Sequence, residues 1–409
     1  MAIVYPFAAV RPQPDNAAAV AAPPYDVVTT QEADAMAAGK PLSFLRVSRP
    51  EIELPVGTDL YAPEVYRKAA ENYERLKENA PLVQEEEPVY YVYSLRMGDH
   101  RQTGIVAAAS VDDYDEDVIR KHEKTRRAKE DDRTRHVLTL ASQTGPVFLT
   151  YRDQAELGTL TAEAMQKTPL FDFAADDGVQ HTVWRIPADE TAAVRDAFNR
   201  VPLLYIADGH HRAAAASRAR AERRDRNPNH TGQEEYNRFL AVIFPASELQ
   251  ILAYNRVVSG LNDLNSEAFL ARVEERFDTT CTSSPEPGQQ GDIHMYLGGQ
   301  WYCLRYRGDT SALPPAEQLD VSILQENLLA PLLGIDDPRT DKRIDFVGGI
   351  RGTDELVSRV HNGSADVAFS MYPTTVDQLM AIADAGAIMP PKSTWFEPKL
   401  RDGLLCHDI

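Results

Sequence analysis

Hydrophobic positions recur along the chain at two periods, and the changes of period divide it into segments. From Ala62 to Asn79, Val65, Ala69, Tyr73 and Leu76 recur at helical spacing, which predicts an amphipathic helix. "PVYYVYSLRM" and "TGIVAAASV" follow as strands around the turn-like "GDH" and read as a hairpin. "GPVFLTY", "HTVWRIP" and "RFLAVIFP" read as further strands, and "ADETAAVRDAFNR" as a helix. "VPLLYIA" is a nearly continuous apolar run of the kind buried on both faces of a sheet.

The first 60 residues are proline-rich and extended around one short helix, "TTQEADAMAAG", with Thr30 as its N-cap and Gly39 as its stop. "SFLRVSRPEIELP" alternates strand-like residues with Arg46 and Arg49. From about 266 the pattern becomes helix, strand, strand ("SEAFLARVEERF", "GDIHMYLGG", "QWYCLRYRG"), with "TSSPEPGQQGD" as a loop tip. Beyond it, helices in "LDVSILQENLLAPLLGI", "TDELVSRVHNG" and "TTVDQLMAIADAG" alternate with strands in "RIDFVGG" and "ADVAFSMYP". The prolines of "AIMPPKSTWFEPKLRDGL" keep the last segment extended. Such alternation predicts an α/β protein, with α+β as the neighbouring class. A boundary near 262 would separate a core of residues 1–262 from an additional α/β region of residues 263–409.

One segment fits neither period. Lys121 to His136 carries seven basic and four acidic side chains and almost no apolar residue, so a helix there has no face for an ordinary core. On a helix His122, Arg126, Lys129 and Arg133 would form one basic stripe, either solvated or facing an anion.

Composition narrows the partners. A net charge of −19 over 409 residues argues against nucleic acid and anionic membrane, although local basic islands can still bind small anions. No apolar run approaches the roughly 20 residues that span a bilayer, and the first residues do not read as a signal peptide, so a cytoplasmic protein is expected. Three scattered cysteines form no disulfide framework, and no Cys-x-x-Cys or His-Glu-x-x-His supports a structural zinc site.

The chemistry concentrates in "YIADGHHRAAAASRA". Asp208 suits an N-cap, Gly209 permits a sharp turn, and His210, His211 and Arg212 then fall in the first turn of an Ala-rich helix. The unpaired N–H groups of that turn bind anions, and Arg212 adds bidentate phosphate recognition. Asp-Gly is also a common turn in its own right, and spacing alone does not separate the two readings.

"YIADGHHR", "AAPPYDVV", "SFLRVSRPEIELP", "HEKTRRAKEDDR", "GPVFLTY", "YNRVV", "RIDFVGG" and "MPPKSTWFEPKL" together resemble the bacterial and archaeal family known as domain of unknown function 1015. Its Asp-Gly-His-His-Arg element is similar to the motif that holds nucleotide phosphates in the ParB and sulfiredoxin superfamily, one branch of which consists of free-serine kinases. The resemblance implies a ParB/sulfiredoxin-like core in which Gly209, His210, His211 and Arg212 bind the phosphates of ATP or ADP. It does not identify the acceptor; the leading reading is a kinase acting on free serine or a similar small hydroxy compound.

Phosphoryl transfer calls for charge neutralisation, usually by Mg²⁺, and for a carboxylate that takes the acceptor's proton. Asp208 and Asp26 of "PPYD" are the preferred carboxylates, ahead of Glu51 and Glu123, and His211 joins them as a catalytic candidate. Lys124 and Arg126 could reach phosphates from a lid. Lys392, Trp395, Glu397 and Lys399 form a second cluster, whose tryptophan could stack on a base, close a pocket or anchor the chain end in the core. "FVGGIRG" is a weak candidate for a phosphate near Arg351. Two other readings remain: a nucleotide-responsive regulator of ParB-like type, and a phosphohydrolase using His210 or His211. A homodimer stays open.

Overall fold

The apolar runs assemble into sheets in a computed structural model that describes residues 1–79 and 82–409. Two units result: Met1–Leu249 together with Pro398–Ile409, and Gln250–Glu397. The division thus falls at Leu249 and not near 262, and the last twelve residues rejoin the first unit. The reason is pairing: the tail exchanges backbone hydrogen bonds with Ala22, Val10 and Thr144.

Among the described residues the first unit holds a nine-stranded mixed sheet. Its strands are β1 (Val4–Tyr5), β2 (Tyr91–Met97), β3 (His100–Ser110), β4 (Ile119–Arg120), β5 (Val147–Tyr151), β6 (Phe171–Ala174), β7 (Gln180–Arg185), β8 (Leu204–Asp208) and β9 (Arg238–Pro245). Their order is β4-β8-β5-β9-β3-β2-β7-β6, with β1 on β3. The predicted hairpin is β2 and β3, with Tyr91 opposite Val106 and Met97 opposite His100. β8 runs parallel to β4 and antiparallel to β5, and the register against β5 shifts between Ile206 and Asp208. Such irregularities re-aim a side chain at a strand end.

Four helices matter for the site: α1 (Thr30–Ala37), α2 (Pro63–Asn79), α3 (Arg127–Leu140) and α4 (His210–Asp225). In α4, Ala213 and Ala216 join the core of Val147, Ile206 and Phe239, so the alanines bring the helix close to its sheet. A second core gathers Phe44, Leu45, Tyr73, Leu76, Leu140 and the tail residue Cys406.

Three local expectations change. α1 is capped by Thr29, one residue before Thr30, in a reciprocal capping box with Glu32. "SFLRVSRPEIELP" forms no strand but a helical turn at Leu45–Ser48 and a 3₁₀ turn started by Pro50, with Arg46 donating to the Ala37 carbonyl. The charged segment is not a solvated helix from 121 onward. Residues 121–126 are irregular, His122 is buried, and α3 packs on α2 and α4. Polar partners replace apolar ones there: Tyr66 donates to Asp132 at 3.0 Å, His136 Nε2 lies 3.0 Å from the Val47 carbonyl, and Arg218 pairs with Glu130 and Asp131.

The second unit carries β10 (Tyr254–Val258), β11 (Phe277–Thr282), β12 (Asp292–Leu297), β13 (Gln300–Tyr306), β14 (Ile344–Gly348) and β15 (Val367–Met371). Their order is β11-β13-β12-β15-β10-β14, and each of these pairings is antiparallel. The whole chain is therefore α/β in the broad sense, with α+β character in this unit. β11 escapes the hydrophobic pattern because only Phe277 of it is buried. The glycines of "FVGG" serve packing: a Cβ on Gly348 would meet the Trp395 ring at 2.7 Å, and one on Gly349 the Ala253 carbonyl at 2.7 Å. That accounts for them without a phosphate near Arg351. No helix of the described residues is long and apolar enough to cross a membrane.

Candidate functional site

The chain leaves β8 at Asp208 and enters α4 at His210 through Gly209, whose φ of 94° lies in the left-handed region. Only glycine occupies that conformation without strain, and a Cβ there would also press on Arg212 Nε at 3.2 Å. Gly209, not Asp208, is thus the N-cap residue. Its carbonyl accepts from the N–H groups of Arg212 and Ala213, which leaves the first-turn N–H groups of His210 and His211 outside the helical ladder.

Asp208 has another task. Its Oδ1 accepts from the Gly209 N–H at 2.8 Å, and its Oδ2 receives the Lys399 ammonium at 3.0 Å. Burial would push this carboxyl up, but the charges of Lys399 and Arg212 outweigh it and hold Asp208 below the usual carboxylate range.

The two histidines differ. His210 is buried, its Nε2 accepts from the His122 N–H at 3.4 Å, and its ring stands edge-on to His122 with centroids 4.4 Å apart. Burial, with the neighbouring His122 next, lowers the His210 pKa well below that of a free imidazole, and burial also lowers His122, to about 4. His211 is only part-buried, and its Nε2 accepts from the Arg126 N–H at 3.0 Å. Burial lowers its pKa, against the pull of Asp26. A neutral His211 accepting at Nε2 carries its proton on Nδ1.

Arg212 turns inward. It donates to the Pro146 carbonyl and feels the charges of Asp26, Asp208 and Asp402, which raise its pKa against burial. With Tyr25, Arg133 and Asp402 it lines a cleft, partly open to solvent, whose apolar wall includes Val147, Ala216 and Phe239. Arg133 lies over the Tyr25 ring, 4.0 Å from its centre, and pairs with Asp132. Asp402 is 3% exposed; burial, tempered by Arg212, pushes its carboxyl up to about 7.

The other sequence candidates disperse. Asp26 is exposed beside this cluster, where His211, Arg212 and Asp402 all feel its charge. Arg126 meets the turn through its backbone, while its side chain and that of Lys124 are exposed. Glu123 Oε2 stands 3.8 Å from His210 Nδ1, and Glu51 pairs with Arg49 at 2.8 Å. Lys392 and Trp395 belong to the second unit, where both pack on Tyr254 and the Trp395 indole donates to Glu397 at 2.8 Å. Among the described residues no three His, Cys, Asp or Glu side chains group as metal ligands.

Asp402 and Gly145 carry no role in the sequence reading, and Lys399 enters it only through the cluster with Lys392, Trp395 and Glu397, although "KLRDG" and "TGPVF" contain them. Their signal is spatial: a Cβ on Gly145 would meet Asp402 Oδ1 at 2.5 Å, so this glycine exists to admit that carboxyl.

Residues 4–322 match the family described as Protein of unknown function (DUF1015), and the chain belongs to it. No curated protein matches the sequence. Distantly similar solved structures include a conserved hypothetical protein from Pyrococcus furiosus, with TM-score 0.37 and 14% identity over 73% of this chain and 94% of that one. They also include a free serine kinase variant in complex with ADP, with TM-score 0.39 and 13% identity over 73% and 92%. A third is a truncated SbnI from Staphylococcus aureus, with TM-score 0.38 and 12% identity over 74% and 87%. At these values the likeness says nothing about activity, and the reading of the site rests on its own residues.

Proposed function

We propose that the first unit is a nucleotide-dependent phosphotransferase acting on a small free hydroxy compound, with L-serine the first acceptor to test. The observation that carries this reading is the Gly209 turn, which presents the His210 and His211 N–H groups at a strand's carboxyl end, beside the half-buried Arg212 cation. Helix first turns of this kind favour phosphate. The similarity of Asp-Gly-His-His-Arg to the ParB and sulfiredoxin motif supports the same reading.

Within it, His211 donates Nδ1–H to a phosphate oxygen, since Nε2 is committed to Arg126. His210, neutral and buried, braces the turn against residues 122 and 123. Asp208 is a poor proton acceptor while Lys399 holds it, so Asp26 takes the acceptor's proton and Asp208 orients the turn. The residues fit ATP or ADP through the backbone donors of the turn and His211 Nδ1–H, with the Arg212 charge close behind them. Mg²⁺ fits as a metal brought on the phosphates and completed by one carboxylate, because the described residues group no ligand set of their own. When bound, it would neutralise developing phosphoryl charge.

The test is a mass-spectrometric screen of the purified chain with Mg²⁺, ATP or ADP, and a pool of serine, threonine, homoserine and small polyols. A phosphorylated acceptor that disappears in His211→Ala supports the reading. Phosphate release without an acceptor would replace it with a phosphohydrolase, and nucleotide binding without turnover with a regulator.

A further inference from the structure

The irregular residues 121–126 between β4 and α3 are tied to the first turn of α4 through their backbone. The His122 N–H donates to His210 Nε2 at 3.4 Å and the Arg126 N–H to His211 Nε2 at 3.0 Å, so each acceptor is an imidazole nitrogen. Such a nitrogen accepts only while it carries no proton; once protonated, it sets two N–H groups against each other.

The two ties differ in their access to water. His122 and His210 are buried edge to edge, and the His122 ring also bonds to the Ile206 backbone, which fixes that end. At the other end His211 is part-buried, and the Lys124 and Arg126 side chains are exposed. The groups facing His211 are Asp26 of the N-terminal segment, Arg126, Lys129 and Glu130 of α3, and His210 of its own helix. Those facing His210 are Lys121, His122 and Glu123 of the connecting segment, Asp208 of β8, and His211. Burial keeps His211 below the ordinary imidazole value of about 6.5, so its tie is intact at neutral pH.

We infer that residues 123–126 form a proton-operated strap beside the Gly209 turn, hinged at His122 and latched by the Arg126 N–H on a neutral His211, which opens when Nε2 takes up a proton from water. Latched, the strap holds the tautomer whose Nδ1–H faces away from Arg126; opened, it leaves the ring free to turn and removes that fixed donor. The inference rests on the phosphotransferase reading only in making the turn beside the strap a phosphate site. The latch itself needs no nucleotide.

Hydrogen exchange of the full chain without nucleotide tests it, read amide by amide by NMR from about pH 8 to about pH 4.5 alongside the His211 ring resonances. Protection of the Arg126 amide, corrected for its intrinsic exchange rate, is expected to fall at least tenfold with the midpoint of the His211 ring. Ala213, whose N–H bonds to the Gly209 carbonyl within α4, is expected to stay protected. His211→Phe, which keeps a ring and removes the acceptor, is expected to leave the Arg126 amide unprotected at every pH. A His211 ring that stays neutral throughout, an Arg126 amide that keeps its protection as the ring titrates, or an unchanged pH dependence in the variant overturns the inference. Joint loss of protection at Arg126 and Ala213 also overturns it, because the turn then unfolds and no strap opens; the wild-type titration decides alone if the variant does not fold. Failure of ATP and ADP to bind would retire the phosphotransferase and leave the latch, whereas an Arg126 amide insensitive to pH would retire the latch and leave the phosphotransferase.

Discussion

The Lys399 ammonium lies 3.0 Å from Asp208 Oδ2, although 191 residues separate the two in sequence. The pair is mostly withdrawn from water, with Lys399 13% exposed and Asp208 29%. Breaking such a pair leaves a desolvated carboxylate behind. Lys399→Met is therefore expected to cost about 2 kcal/mol in urea denaturation at pH 7, and Asp208→Asn in the same chain to restore part of it. A double-mutant cycle with no coupling would show that the contact contributes nothing.

Gly209 is held at a φ of 94°. Replacing it with Ala should destabilise the chain by about 1–2 kcal/mol, the cost of a left-handed side chain, and weaken nucleotide binding at least tenfold by moving the first-turn N–H groups. Unchanged nucleotide affinity in Gly209→Ala would detach the turn from binding.

Acid should act through the buried histidines. A ring whose folded pKa is lowered stabilises the fold fully above about 6.5, its unfolded value, and less as pH falls below it. For His122, lowered to about 4, the loss between pH 6.5 and 4 amounts to about 3 kcal/mol. The ring resonances of His122 should stay neutral down to about pH 4 in an NMR titration; a midpoint near 6.5 would mean that the ring is not buried.

Asp402 has the opposite sign. Its folded pKa, about 7, lies above the unfolded value of about 4, so the fold loses stability as pH rises between those limits. The groups facing it are Arg212 of α4, Arg133 of α3, and Tyr25 and Asp26 of the N-terminal segment. Asp402→Asn should remove a falling component of about 4 kcal/mol from the stability profile across that window, leaving a steeper rise from the histidines. Superimposable profiles for the variant and wild type would place Asp402 in water.

Most of the elements are legible in the sequence because their apolar periods are strong: the β2 and β3 hairpin, β8 and the Ala-rich α4 all follow from local pattern. The turn is legible too, since Gly209 and the paired histidines are contiguous. What the sequence hides is long-range. α3 looks solvated because its partners are polar and distant, Tyr66 and Arg218 among them. Lys399 and Asp402 reach the site only because the tail returns to Ala22 and Thr144, which no local spacing announces. Arg212 reads as a phosphate ligand in the sequence, yet its side chain lines the cleft.

The most direct measurement is isothermal titration of ADP and ATP with Mg²⁺ into the full chain and into His211→Ala. The account predicts saturable binding by the wild type and at least tenfold weaker binding by the variant. Absence of binding to the wild type, or equal binding to both proteins, would contradict the claim that the turn at Gly209 cradles nucleotide phosphates.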